Sequence, residues 1–169
     1  MEEALEAHET LQMFKEINTI LKEVEAAGEI EGLSKSEILQ DYFVEIVENF
    51  NIKSIEADED KVNIKFEKLT LKGKTAAKLN IFLKEKILPK ENYVAVAKDE
   101  KGVIRSFTIR LPKEVVNSTS ALSKFKNRLS GKEKYILIHV DKNSIEIPHL
   151  LISNDDMQET LSKIIDILK

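Results

Sequence analysis

Apolar residues recur at Met13, Phe14, Ile17, Ile20, Leu21 and Val24. Steps of three and four place them on one side of a helix, so residues 10–27 are predicted helical, with Glu2 to Glu9 as a polar lead. Gly28 and Gly32 bracket a break. Ser34 or Ser36 can then cap a second helix, whose stripe is Leu39, Tyr42, Phe43, Ile46, Val47 and Phe50. The pair reads as a helical hairpin. Its stripes need cover, either from the rest of the chain or from another copy.

After Asn51 the period changes to two. Ile52 and Ile55 open a strand, Asp58-Glu59-Asp60 makes a turn, and Val62, Ile64 and Phe66 alternate along a second strand. The alternation slips at Glu67-Lys68, as at a bulge or a strand end. Thr75 to Leu88 reads as a helix with Ala76, Leu79, Phe82, Leu83 and Ile87 inward, and Pro89 follows it. The same grammar recurs. Tyr93 to Ala97 and Val103 to Leu111 are predicted strands around a turn at Lys98–Gly102, and Leu122, Phe125 and Leu129 mark a helix ending at Ser130-Gly131. It recurs once more: Tyr135 to Val140 and Ile145 to Ile152 as strands, Asp141 to Ser144 as a turn. A last helix, with capping-box spacing at Ser153 and Asp156, carries Met157, Leu161, Ile164, Ile165 and Leu168.

Three hairpin-plus-helix units therefore follow one another. Their turns begin near Asp58, Lys98 and Asp141, about 40 and 43 residues apart, a period of the size structural repeats have. The predicted fold is α+β. An amphipathic helical hairpin over residues 1–50 precedes a domain over residues 51–169, built of three ββα units that form a mostly antiparallel sheet covered by helices.

Charge sharpens the division. Residues 1–60 hold 17 acidic and 4 basic groups, a net of −13; residues 61–134 hold 7 and 19, a net of +12; residues 135–169 hold 6 and 3, a net of −3. Such a split points to an anionic partner for the basic part, or to an acidic part that neutralises it. There is no Cys, which excludes disulfides, thiolate nucleophiles and cysteine metal ligands. No segment approaches the roughly 20 apolar residues that cross a bilayer, and the start MEEALEAHET lacks the basic and apolar regions of a signal peptide. Both predict a soluble, cytoplasmic protein without a membrane role.

Candidate chemistry is sparse. Lys72 and Lys74 fall where a strand gives way to a helix N-terminus, whose amides can hold a phosphate. Arg110 points with Thr108 away from Phe107 and Ile109, and Arg105 falls in the core-facing phase unless a bulge or strand end shifts it. Lys124 and Arg128 share a helix face, with Lys126 and Lys132 close by. These seven residues (Lys72, Lys74, Arg110, Lys124, Lys126, Arg128 and Lys132) are the expected anionic-partner site. Against nucleic acid stand the 23 Lys and only 3 Arg, since Arg dominates bidentate base and phosphate recognition, and the few aromatics sit at core-like positions, which leaves little for a stacking platform. A winged-helix reading fails because the second helix, the reader in that arrangement, carries Glu37, Asp41, Glu45 and Glu48 and would repel phosphates.

Asp58, Asp60 and Glu67, with Glu59-Asp60-Lys61, resemble the carboxylate and Glu-x-Lys set of a large Mg²⁺-dependent nuclease superfamily. That superfamily places the pair in a strand, whereas here it falls in a turn. His8, His139 and His149 do not cluster. With Lys142-Asn143 centring the turn, His139 faces Glu146, one His beside one Glu, which makes neither a metal site nor a triad. Asn117-Ser-Thr119 matches a glycosylation acceptor, relevant only to a secreted chain. No catalytic residue, metal or cofactor is expected.

The sequence thus predicts a non-enzymatic binding or adaptor protein whose basic ββα region engages nucleic acid, a ribonucleoprotein or an acidic protein surface. The N-terminal helices would bind a protein partner or self-associate through Phe14, Ile17, Leu21, Val24, Tyr42, Phe43 and Ile46. The alternatives are a purely protein-binding assembly or chaperone-like module and, third, a Mg²⁺-dependent nuclease-like enzyme.

Overall fold

The computed structural model describes residues 2–27, 34–58, 60–87, 92–113 and 135–169. Helix α1 (Glu2–Ala27) comes first, then α2 (Lys35–Tyr42) and α3 (Val44–Asn49), strands β1 (Ile52–Ala57) and β2 (Lys61–Phe66), and helix α4 (Gly73–Lys86). Strands β3 (Val94–Lys98), β4 (Ile104–Pro112), β5 (Tyr135–Asp141) and β6 (Ser144–Pro148) follow, then the single-turn α5 (His149–Ile152) and α6 (Asp155–Leu168). The glycine break at Gly28 and Gly32, the helix expected near residues 120–130 and the Asn117 triplet lie outside the described residues.

The strands make one antiparallel sheet in the order β1-β2-β6-β5-β4-β3. Each consecutive pair forms a hairpin, and the third hairpin is inserted between the first and the second. One face is apolar and buried: Ile55, Val62, Ile64, Ile145, Ile147, Ile138, Val140, Phe107 and Ile109 all point into the core. The helices cover that face. The other face is polar and crossed by a single row of six residues, Glu56, Asn63, Glu146, His139, Thr108 and Ala95. The expected pairing of His139 with Glu146 is therefore realised.

Each hairpin turn opens with an aspartate that bonds the amides ahead of it. Asp58 Oδ1 accepts from the N–H of Asp60 and of Lys61, both at 2.8 Å. Asp99 Oδ1 accepts from Lys101 and Val103, both at 2.9 Å. Asp141 Oδ1 accepts from Asn143 and Ser144, both at 2.8 Å. An acceptor two or three bonds from its own backbone closes a turn without help from the rest of the fold. The Val103 amide is the main reason the Asp99 carboxyl is held below its ordinary range. Partial desolvation opposes it, and the Lys101 amide, Arg105 and Lys142 assist.

The helices are set by caps and by what they bury. Ser34, the first of the two predicted caps, closes α2: its Oγ accepts from Glu37 N–H at 3.3 Å while Glu37 Oε2 accepts from Ser34 N–H at 2.9 Å. The single long helix expected to Phe50 is instead interrupted at Phe43 (φ −108°, ψ 20°), which buries Ile38, Leu39 and Phe43 and turns Tyr42 outward, 68 % exposed. Asn51 in the left-handed region (φ 55°), a conformation that Asn tolerates better than most residues, takes the chain into β1. Arg105 is exposed because the ladder pairs Ala97 with Ser106 and Lys98 with Ile104, skipping one residue. The predicted strand to Ile152 stops at Pro148; the apolar run beyond it coils into α5, buried throughout. Asn154, not Ser153, caps α6, its Oδ1 accepting from Met157 N–H at 3.1 Å.

Helix α6 packs against α1, α4 and α5 and is buried around most of its circumference, Met157, Leu161, Ile164, Ile165 and Leu168 included. Thr10 on α1 donates to Asp166 near the end of α6 at 3.4 Å, and Glu25 approaches His149 at 3.9 Å just before α6 begins. The two helices therefore run antiparallel. The core residues of α1 and those of the sheet belong to one continuous apolar cluster.

Candidate anion-binding site

The loop between β2 and α4 is tied down before the helix starts. Phe66 N–H donates to Asn143 carbonyl at 2.7 Å and Leu69 N–H to Lys142 carbonyl at 2.6 Å, so the loop is fixed on the β5–β6 turn. Lys72 then occupies the cap position of α4 in extended conformation (φ −120°, ψ 153°), and no side chain caps the helix. The first intrahelical bond runs from Ala76 N–H to Lys72 carbonyl at 3.2 Å. The amides of Gly73, Lys74 and Thr75 precede it and have no acceptor within the helix. They form the positive end of the helix dipole.

A cavity of about 540 Å³ opens at this end, lined by Thr70, Lys72, Lys74, Thr75 and Lys78 on one side and by Lys163, Asp166, Ile167, Leu168 and Lys169 of the α6 segment on the other. Four of its lysines come from three elements: the loop, α4 and α6. Lys169 is not among them, because its ammonium lies over the Phe50 ring, 4.9 Å from the centroid. Asp166 supplies one opposing charge, and it already accepts from Thr10. The arrangement is a cationic recess with amide and hydroxyl donors and no carboxylate pair. It can hold phosphate or carboxylate oxygens.

Of the seven cations the sequence singles out, Lys72 and Lys74 meet here. Arg110 does not: it stands on the polar face of β4, 5.8 Å from the Tyr135 ring centroid and 3.5 Å from Asn92 carbonyl. Lys124, Lys126, Arg128 and Lys132 lie outside the described residues. Two lining lysines were missed. Lys78 sits four residues after Lys74 and so shares its helix face, a signal that was legible. Lys163 arrives from the last helix, and no local pattern announces it.

The apolar interface set is placed differently from expectation. Phe14, Ile17, Leu21, Val24 and Phe43 are buried in the chain's own core, and Ile46 packs at its margin. The stripe of α1 meets α6 rather than a partner. Tyr42 alone of the seven is strongly exposed.

On the polar sheet face the signs interleave. Lys65 Nζ is 3.1 Å from Glu56 and Lys61 Nζ 3.7 Å from Glu146, so this face has no uniform positive field. Of the nuclease-like set, Glu59 lies outside the described residues. Asp58 bonds turn amides, and among the described residues no three His, Asp or Glu side chains form a metal-holding group. His149 is buried beside Glu25. Among the described residues no helix is long and apolar enough to cross a membrane.

Comparison with protein-family models, curated proteins and solved structures yields no match to this chain.

Proposed function

We propose that this protein is a non-enzymatic binding protein whose basic surface at the start of α4 engages a phosphate-bearing polymer, with nucleic acid the first candidate. The observation that carries the reading is the convergence of Lys72, Lys74, Lys78 and Lys163 from three elements on a recess where α4 has no side-chain cap. Lysine ammoniums are point charges that suit phosphate-backbone contact without base selection. Among the described residues the recess has no aromatic lining on which a base could stack. Sequence-independent contact is the expected mode.

In the same reading the three hairpins are structural repeats, supported by the aspartate that opens each turn and accepts from the amide two residues on and from one three or four residues on. In this reading an assembly role for the first fifty residues draws support from the exposed Tyr42 and Val44.

Fluorescence anisotropy with labelled single- and double-stranded oligonucleotides tests the proposal. Affinity should fall steeply with salt, with a log–log slope of about 0.7–0.9 per phosphate contacted. Converting Lys72, Lys74, Lys78 and Lys163 to Glu should abolish binding while leaving the circular dichroism spectrum intact. Absence of binding at low salt, or binding unchanged in the variant, removes the proposal.

A further inference from the structure

The two edges of the sheet are not alike. Edge strand β1 is packed by α2 and α3, breaks its register between Ile52 and Ser54, and carries Lys53 and Glu56. Edge strand β3 reads Val94-Ala95-Val96-Ala97 before its first charge at Lys98, with no proline and no irregularity until its last pair. Natural edges are commonly protected by charges, bulges or cover, and an unprotected one is a template for another strand.

The ladder shows which backbone groups β3 offers. Arg110 N–H donates to Tyr93 carbonyl at 2.7 Å, and Asp99 N–H to Val103 carbonyl at 2.9 Å. Residues 95 and 97, with the Tyr93 carbonyl and the Asp99 amide, therefore face β4, and residues 94, 96 and 98 turn their amides and carbonyls outward. Asn80 of α4 takes the outward Val94 amide at 2.9 Å. Among the described residues, what remains outward is the Val94 carbonyl and both groups of Val96 and of Lys98.

That set is self-complementary. We infer that β3 pairs with β3 of a second copy, antiparallel about a two-fold axis at Val96, continuing the sheet from one protomer into the next. The two Val96 residues exchange both bonds, and each Val94 carbonyl accepts from the other copy's Lys98 amide. Every remaining outward group except the Lys98 carbonyl is used, and that carbonyl falls opposite the one amide already taken by Asn80. The register also sets Lys98 opposite Val94, so the ammoniums lie at opposite ends. It brings the acidic Asp99–Glu100 turn of one copy to the end of the other strand, where the Arg110 guanidinium reaches Asn92. A closed two-fold pairing of identical edges leaves no growing end at β3.

The contact is short and falls below the roughly 1,200 Å² of a standard interface, so association should appear only in concentrated samples, about 0.1–1 mM. Sedimentation velocity of the full chain across that range is the test, with a monomer–dimer equilibrium expected. Val96→Pro removes an amide that the intrachain ladder does not use, a position where an edge strand tolerates proline. Val96→Lys keeps the backbone and sets like charges across the axis. Each should weaken dimerisation at least tenfold with an unchanged monomer circular dichroism spectrum; should the proline variant fail to fold, the lysine variant decides. A parent that stays monomeric at about 1 mM, or a folded Val96→Lys that dimerises as the parent does, overturns the inference.

Discussion

Asn80 Oδ1 accepts from the backbone N–H of both Tyr93 and Val94, each at 2.9 Å. One side chain on α4 thus holds the start of the sheet's outermost strand. Replacing it with Ala removes the shared acceptor from two amides at a partly buried site, and should cost about 1–3 kcal/mol. Asn80→Asp keeps the oxygen and should recover most of that. Urea unfolding of the two variants separates the outcomes: equal losses would mean that the acceptor is not what matters.

The Asp99 carboxyl, held low first by the Val103 amide, should titrate in the folded chain below its unfolded value of about 3.9. A depressed folded value gives stability that is present above the unfolded value and is lost as pH falls through the folded one. NMR titration of the Asp99 side chain checks the direction. Asp99→Asn should reduce the acid sensitivity of unfolding at that turn, and an ordinary or raised Asp99 titration would contradict the hydrogen-bond account.

Phe14 and Tyr42 make opposite predictions from similar sequence contexts. Phe14 is fully buried between α1 and the rest of the core, and Phe14→Ala should cost about 3–5 kcal/mol. Tyr42 stands in solvent, and Tyr42→Ala should stay within about 0.5 kcal/mol. Denaturant melts that rank the two the other way would mean that α1 is not docked as described.

Asn18 is 5 % exposed on the packed side of α1, and among the described residues its Oδ1 has no hydrogen-bond partner. A buried acceptor left unmade costs free energy that an apolar residue of similar size does not. Asn18→Leu should therefore stabilise the chain by about 1 kcal/mol. A destabilised variant would show that the amide has a partner that matters.

Local patterns carried most of the element list, for identifiable reasons. Val62, Ile64 and Phe66 alternate because one sheet face is apolar and the other wet, and the turn at Lys142-Asn143 set His139 opposite Glu146 by counting alone. Arg105 broke the phase because a residue is skipped opposite Ala97 and Lys98. Leu150, Leu151 and Ile152 could not be assigned by periodicity, since a short apolar run buried on all sides fits strand or helix equally. The partner of the α1 stripe was hidden for another reason. Met13, Phe14 and Ile17 state that something apolar covers them, but that the cover is α6, well over a hundred residues later, is a matter of topology. The candidate site divides in the same way: Lys72, Lys74 and Lys78 are neighbours in sequence, and Lys163 is brought to them only by the fold.

The strand order has a consequence for how the chain is made. The last hairpin, β5–β6, lies between the first and the second, so β2 and β4 have no inner neighbours until residues 135–148 are available. During synthesis from the N-terminus, two completed hairpins must wait, each exposing an unpaired apolar strand that becomes central in the finished sheet. The closing pairings are therefore long-range and late, the situation in which folding is slow and intermediates are prone to associate wrongly. A nascent chain stalled before Tyr135 would display β2 and β4 as open edges, making that stage of translation the one most in need of chaperone cover.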